Sequence, residues 1–120
     1  MPVVTRRSIS AMAYNQGLAD DIRAHLGAMK GLSEKEMFGG IAFLVNGNMA
    51  VGVSADDLMV RVGKEAHDEA VARPGARMFD LSARPMRGWI VVSPEGIASD
   101  ADLASWIDQG VAFAENLPPK

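Results

Sequence analysis

Residues 37–49 read Met-Phe-Gly-Gly-Ile-Ala-Phe-Leu-Val-Asn-Gly-Asn-Met, an apolar stretch that runs directly into an Asn-Gly pair. Asn46 and Gly47 both tolerate the positive φ angles of a type I′ turn, and such a pair between apolar runs is the strongest short signal of a β-hairpin. Gly39 and Gly40 predict a bulge, a sharp bend or a close backbone approach, because glycine lacks a Cβ. The centre of the chain is therefore predicted to be a hairpin.

Further strands are predicted on both sides of this hairpin from alternating or short apolar runs. The predicted strands cover residues 36–38, 41–45, 49–53, 58–62 and 89–92, with a brief strand at 78–79. Residues 54–57 are polar and predict a turn. Residues 82–88 contain Pro85, which cannot donate a ladder hydrogen bond, and we interpret them as a loop.

Three helices are predicted from apolar side chains spaced three and four residues apart. The first follows Asn15, a capping residue, and is expected to end at Gly31. The second covers residues 64–72 and precedes Pro74, which cannot continue it. The third covers residues 100–116, where Ser99 and Asp102 resemble a capping box.

The order of these elements is helix, four strands, helix, one or two strands, helix. The links between neighbouring strands are too short for parallel crossovers, so the sheet is predicted to be antiparallel. We therefore predict a single α+β domain, with five to six strands, helices packed on one face and helices at both ends of the chain. Residues 1–11 show no periodicity and are expected to form a flexible arm before a domain of residues 12–120.

The composition is typical of a globular protein. The chain has 120 residues, of which 48% are hydrophobic and 22% charged, and its formal net charge is −3. The sequence lacks cysteine, which excludes disulfides and thiolate chemistry and is consistent with a cytoplasmic location. It also lacks an apolar run long enough to span a membrane, and the acidic charge gives no overall attraction to nucleic acid.

Several separated motifs resemble a known family. They are Met37-Phe38-Gly39-Gly40, Asn46-Gly47-Asn48-Met49, Asp57-Leu58-Met59-Val60-Arg61-Val62-Gly63, Arg84-Pro85-Met86-Arg87-Gly88 and Leu117-Pro118-Pro119-Lys120. In this order they resemble the TfoX/Sxy N-terminal domain family over about residues 12–120. The resemblance implies a bacterial α+β domain that also occurs joined to a C-terminal domain in regulators of DNA-uptake competence, which act with a cyclic-AMP receptor protein at promoters. Because the chain ends at Lys120, we expect it to share the fold and a regulatory role without that second domain.

The titratable residues do not form a recognisable catalytic or metal-binding pattern. His25 and His67 are the only histidines, and neither has a second histidine within two helical turns. We interpret both as structural, and the acidic pairs at 20–21 and 56–57 as caps and turns. No serine lies in a nucleophile elbow. The sequence therefore predicts no enzyme activity, no cofactor and no metal.

Arginines near the predicted sheet suggest an interaction or anion-binding patch. Arg61 lies in an apolar strand, where alternation places it opposite Val60 and Val62. Arg84 and Arg87 flank Pro85-Met86, so the predicted patch is Arg61, Arg84, Met86 and Arg87. The alternative is that these arginines are exposed or pair with carboxylates such as Asp80.

Methionines are abundant in the predicted sheet and allow two interpretations, core filling or an adaptable binding surface. If several lie on one sheet face beside Phe43 or Trp89, an interaction groove or dimer interface is favoured. The leading hypothesis is a non-enzymatic regulatory module that binds a protein partner or a second copy of itself. The second hypothesis is a protein for a small anionic ligand, or an uncharacterised enzyme, that uses an arginine-lined sheet face. Direct nucleic-acid binding, through Arg6 and Arg7, ranks third.

Overall fold

The computed structural model of the chain describes residues 14–37, 39–81 and 84–120. The helices are α1 (Gln16–Leu26), α2 (His67–Val71) and α3 (Asp100–Glu115), with a short 3-10 helix at Pro94–Ile97. The strands are β1 (Leu32–Met37), β2 (Gly40–Val45), β3 (Asn48–Ser54), β4 (Asp57–Arg61), β5 (Ala76–Leu81) and β6 (Arg84–Val92). No helix in these residues is long and apolar enough to cross a membrane.

Within the described residues, the six strands form one antiparallel sheet in the order β1-β2-β3-β4-β6-β5. One face packs against α1 and α3, and the core between them is almost inaccessible to solvent. Its largest fully buried side chains are Trp106, Phe43, Ile22, Leu58, Ile90, Ile107, Val45, Val51, Val53, Val60 and Val92. The predicted α+β fold, with helices on one sheet face and at both ends, is confirmed.

The central hairpin is confirmed at the predicted turn. Asn46 and Gly47 have φ angles of 53° and 86°, as a type I′ turn requires, and Val45 pairs with Asn48. The end of the chain is bound to this turn, because the side-chain amide of Asn48 donates to the Pro118 carbonyl at 2.9 Å and the Lys120 N–H donates to the Asn46 carbonyl at 2.9 Å.

Two helix starts are confirmed by their capping bonds. The Asn15 side chain accepts from the Leu18 N–H at 3.0 Å, and the Ser99 hydroxyl accepts from the Asp102 N–H at 3.0 Å. The predicted end of α1 at Gly31 is wrong. The helix ends at Leu26 because Gly27 takes a φ of 59°, a left-handed value that stops the helix one turn earlier.

Three further predictions differ from the structure. The loop predicted at 82–88 is wrong from residue 84 onward, because β6 already begins there and pairs with β5. Pro85 is tolerated because β4 reaches β6 only from Trp89, so the strand has one unpaired side at the proline. Strand β1 begins at residue 32 and α2 is shorter than predicted. Phe38 and residues 1–11 of the predicted arm lie outside the described residues.

Gly110 allows α3 to contact the sheet at backbone distance. A Cβ built on Gly110 would lie 2.5 Å from the Ala50 carbonyl oxygen and 2.8 Å from a Val51 methyl carbon. Replacing Gly110 by alanine should gain about 1 kcal/mol of helix propensity but cost about 1 to 3 kcal/mol in overpacking. Because the nearest atom is backbone and cannot rotate away, we expect a net loss of stability, measured by urea denaturation.

The matched control is Ala112→Gly, at an exposed position of the same helix. It should lower the free energy of unfolding by about 0.5 to 1 kcal/mol through propensity alone. A Gly110→Ala variant that is more stable than the native protein would show that α3 does not depend on this close approach.

Candidate functional site

The two faces of the sheet differ in what covers them. Residues paired across an antiparallel sheet share a face, and the row formed by Ala42, Gly52, Met59 and Val91 lies opposite the helix-packed row of Ile41, Val53, Leu58 and Val92. The described helices pack on the side of the second row, and we call the side of the sheet that carries the first row the open face.

A shallow cavity of about 360 Å³ lies on the open face. Its lining comes from five strands and consists of Gly40, Ile41, Ala42, Met49, Val53, Ser54, Met59, Phe79, Met86 and Trp89. Of these, Ile41 and Val53 belong to the helix-packed row and are almost completely buried. The two large aromatic side chains and the three methionines are half-buried, whereas Ala42 is only 1% exposed and lies at the bottom. The surface is therefore apolar, deformable at its methionines and accessible.

Two glycines allow the backbones of neighbouring strands, and a methionine side chain, to come close together at the bottom of this cavity. A Cβ on Gly52 would lie 2.8 Å from the terminal methyl carbon of Met49 and 2.9 Å from the Ile41 carbonyl oxygen. A Cβ on Gly40 would come even closer to the carbonyl oxygen of Val53. The predicted close backbone approach at Gly40 is thus present between β2 and β3.

Arg61 is held beside the cavity by aromatic rings. Its guanidinium carbon lies 5.1 Å from the ring centroid of Trp89 and 5.4 Å from that of Phe113. Among the side chains that the structure describes, which do not include that of Asp80, Arg61 makes no ion pair. Its positive charge is therefore stabilised by the two ring faces.

The other members of the predicted patch lie in different surroundings. Met86 lines the cavity, but the exposed Arg87 donates to Asp68 on α2 at 3.1 Å, and this bond lowers the pKa of the Asp68 carboxyl. The backbone of Arg84 pairs with Leu81, and its side chain lies outside the described residues. The structure thus brings Met86 to the cavity and Arg61 beside it, and directs Arg87 towards α2. A shared anion site for the three arginines stays a prediction.

His67 accepts a hydrogen bond from the bulge of β6, a contact that sequence reasoning missed. The pairing with β5 changes register so that Met78 faces Ile90 and Phe79 faces Met86. The intervening bulge contains Gly88, which has a φ of 94° and donates its N–H to Nδ1 of the buried His67 at 2.9 Å. The adjacent Trp89 is thereby positioned on the open face. The only sequence signal for this bulge was Gly88, directly before the strand that was predicted at residues 89–92.

The remaining titratable groups make local pairs. Nε2 of His25 lies 2.8 Å from Asp108, which links α1 to α3, and Arg77 donates to Asp57 at 3.1 Å. Arg23 donates to Glu34 at 2.8 Å and lowers the pKa of that carboxyl, so this pair stabilises the fold above the usual glutamate pKa and less as the pH falls. In the part of the chain that the structure describes, no three His, Cys, Asp or Glu side chains converge as metal ligands do.

The comparisons with known proteins agree with this architecture. A family model described as the TfoX N-terminal domain matches residues 24–114, which includes all six strands, α2, nearly all of α3 and only the last residues of α1. Searches of curated proteins and of solved structures found no significant match.

Proposed function

Because the chain belongs to the TfoX N-terminal domain family, which is of a regulatory and not a known enzymatic type, we propose that it is a non-enzymatic regulatory module that binds another protein through its open face. The observation that carries the proposal is the apolar cavity, lined entirely by strand residues, on the sheet face opposite the helices.

The apolar character and the residue types of this surface support a protein as the ligand. A soluble domain usually covers a contiguous apolar sheet face, and one left accessible is typical of interaction sites. Trp89, Phe79 and Met59 supply large contact areas, and tryptophan is among the residues that contribute most to binding energy at interfaces. Methionine side chains can repack around different ligands at little cost.

A small anionic ligand finds less support at this cavity. Its described lining contains no arginine or lysine. Anion recognition requires convergent donors at the bottom of a site, whereas the nearest guanidinium, that of Arg61, stacks on rings at the margin. The chemistry of the lining favours apolar side chains as the ligand.

The proposal is tested by affinity capture from the native lysate with the tagged chain and a Met59→Glu variant. A charge in the middle of the apolar cavity should abolish recovery of a stoichiometric partner, because a bound apolar surface would have to bury an unpaired carboxylate. Met59 is half-buried, so the melting temperature of the variant must be measured to show that it is folded.

The matched control is Ala101→Glu, which adds the same charge at an exposed position in the first turn of α3, where a carboxylate is favourable. It should recover the partner as the native chain does. Equal recovery by folded Met59→Glu, or no specific partner for the native chain, would contradict the proposal.

A further inference from the structure

We infer that the partner presents an acidic, amphipathic segment to the open face, and this inference rests on the function proposed above. The first observation is a row of paired residues that crosses the sheet on this face. In order from β1 to β5 it consists of Lys35, Ala42, Gly52, Met59, Val91 and Arg77. The apolar centre is thus bounded by a cation at each end.

Arg61 adds a third cation near the cavity, at the margin next to Trp89. The described carboxylate on this face is Asp57, two residues from Met59 on β4, and it already accepts from Arg77 at 3.1 Å. Lys35 and Arg61 make no ion pair with any side chain that the structure describes. The open face is therefore locally basic.

The acidic residues of β1 point away from this face. Glu34 pairs with Phe43 and Glu36 with Ile41, both on the helix-packed side, where Arg23 and the Tyr14 hydroxyl bind them. The chain as a whole carries a net charge of −3, so the basic character of the open face departs from the average of the molecule. This separation of charge favours a partner with carboxylates around an apolar centre.

Two other occupants match this surface less well. A second copy would place the open face against itself, so that Lys35, Arg61 and Arg77 would meet cations and no unpaired described carboxylate. The chain's own residues 1–13 contain Arg6 and Arg7 and no acidic residue, so they carry the same sign of charge. Like charges at close range oppose both arrangements, whereas an acidic segment satisfies the cations.

The test uses the purified full chain and two labelled synthetic peptides in fluorescence anisotropy. Both carry Leu and Phe three and four positions apart, so that a helix presents them on one face, and the other positions are Glu in one peptide and Lys in the other. The Glu peptide should bind and the Lys peptide should not. The affinity of the Glu peptide should fall as salt shortens the Debye length from about 10 Å at 0.1 M to about 3 Å at 1 M.

Matched variants place the binding on the open face. Lys35→Glu should raise the Kd of the Glu peptide roughly three- to tenfold. Lys30→Glu makes the same change of charge in the turn before β1 and should leave the Kd unchanged. Trp89→Ala should raise the Kd at least about tenfold, with Met86→Gln as the substitute if Trp89→Ala fails to fold.

Equal binding of both peptides, tighter binding of the Lys peptide, or no binding of either would overturn the inference. A dimer in sedimentation that Met59→Glu dissociates would instead assign the open face to a second copy. Any of these results, combined with lysate capture that depends on Met59, would leave the proposed function standing and reject only the acidic partner. Loss of both the peptide binding and the Met59-dependent capture would reject the proposed function together with the acidic partner.

Discussion

Replacing Trp106 by alanine is expected to lower the free energy of unfolding by about 3 to 5 kcal/mol. The indole is 1% exposed and lies in the core between α3 and the sheet, and the guanidinium carbon of Arg73 stacks 3.7 Å from its ring centroid. Domains of this size are stable by only about 5 to 15 kcal/mol, so the variant should be partly unfolded at physiological temperature. Urea denaturation followed by circular dichroism measures the loss.

The chain offers its own control, because its other tryptophan lies on the opposite side of the sheet. Trp89 is half-buried on the open face, so Trp89→Ala removes less buried area and should cost about 1 to 2 kcal/mol. The two variants thus separate stability from binding, since Trp106→Ala affects mainly folding and Trp89→Ala mainly the partner. A Trp106→Ala variant with the same melting temperature as the native protein would show that the assignment of the core is wrong.

Replacing His67 by alanine is expected to cost about 2 to 4 kcal/mol, the second largest effect. The substitution empties the space of a side chain that is only 4% exposed and leaves the buried N–H of Gly88 without its acceptor. Since Gly88 also accepts from the N–H groups of Val62 and Gly63, the whole connection between β4 and β6 should loosen. Denaturant unfolding and amide exchange at Gly88 measure the two consequences.

His67→Asn is the matched control for this prediction. The Asn side-chain oxygen can take the place of Nδ1 and accept from Gly88, so this variant should recover a large part of the lost stability and restore protection of the Gly88 amide. Equal stability of the alanine variant and the native protein would show that the hydrogen bond does not hold the bulge. Equal losses in both variants would show that packing, and not the acceptor, is what His67 supplies.

Most of the fold follows from local signals in the sequence. The Asn46-Gly47 turn, the caps at Asn15 and Ser99, the apolar runs of β2 and β3 and the alternation in β4 each specify their element without help from distant residues. Where several strands are joined by short turns, an antiparallel sheet is the only simple arrangement, and helices must then cover one of its faces. This is why the topology could be predicted without coordinates.

The elements that were mispredicted depend on tertiary pairing. Strand β6 continues through Pro85 because β5 lies along one side of it and no strand on the other needs the missing N–H. Strand β1 carries charges on both faces at the edge of the sheet, so it lacks the apolar alternation that signals a strand. In both cases the partner strand, and not the segment itself, decides the conformation.

The candidate site could be predicted only in part for a related reason. Alternation correctly placed Arg61 opposite Val60 and Val62, and the methionine content suggested an adaptable surface. Which methionines share a face depends on the bulge between β5 and β6, which brings Met86 next to Phe79 and is held by His67. A single histidine in a short helix gives no sequence signal for that role.

Site-specific photocrosslinking in the native host tests the central claim most directly. A photoreactive phenylalanine analogue at Met59, inside the open face, is compared with the same analogue at Ala101 on the exposed side of α3. We predict that position 59 crosslinks to one partner protein and that position 101 does not. Crosslinks of equal yield to the same protein at both positions, or none at position 59 in a folded chain, would contradict the claim that this sheet face is where the protein binds.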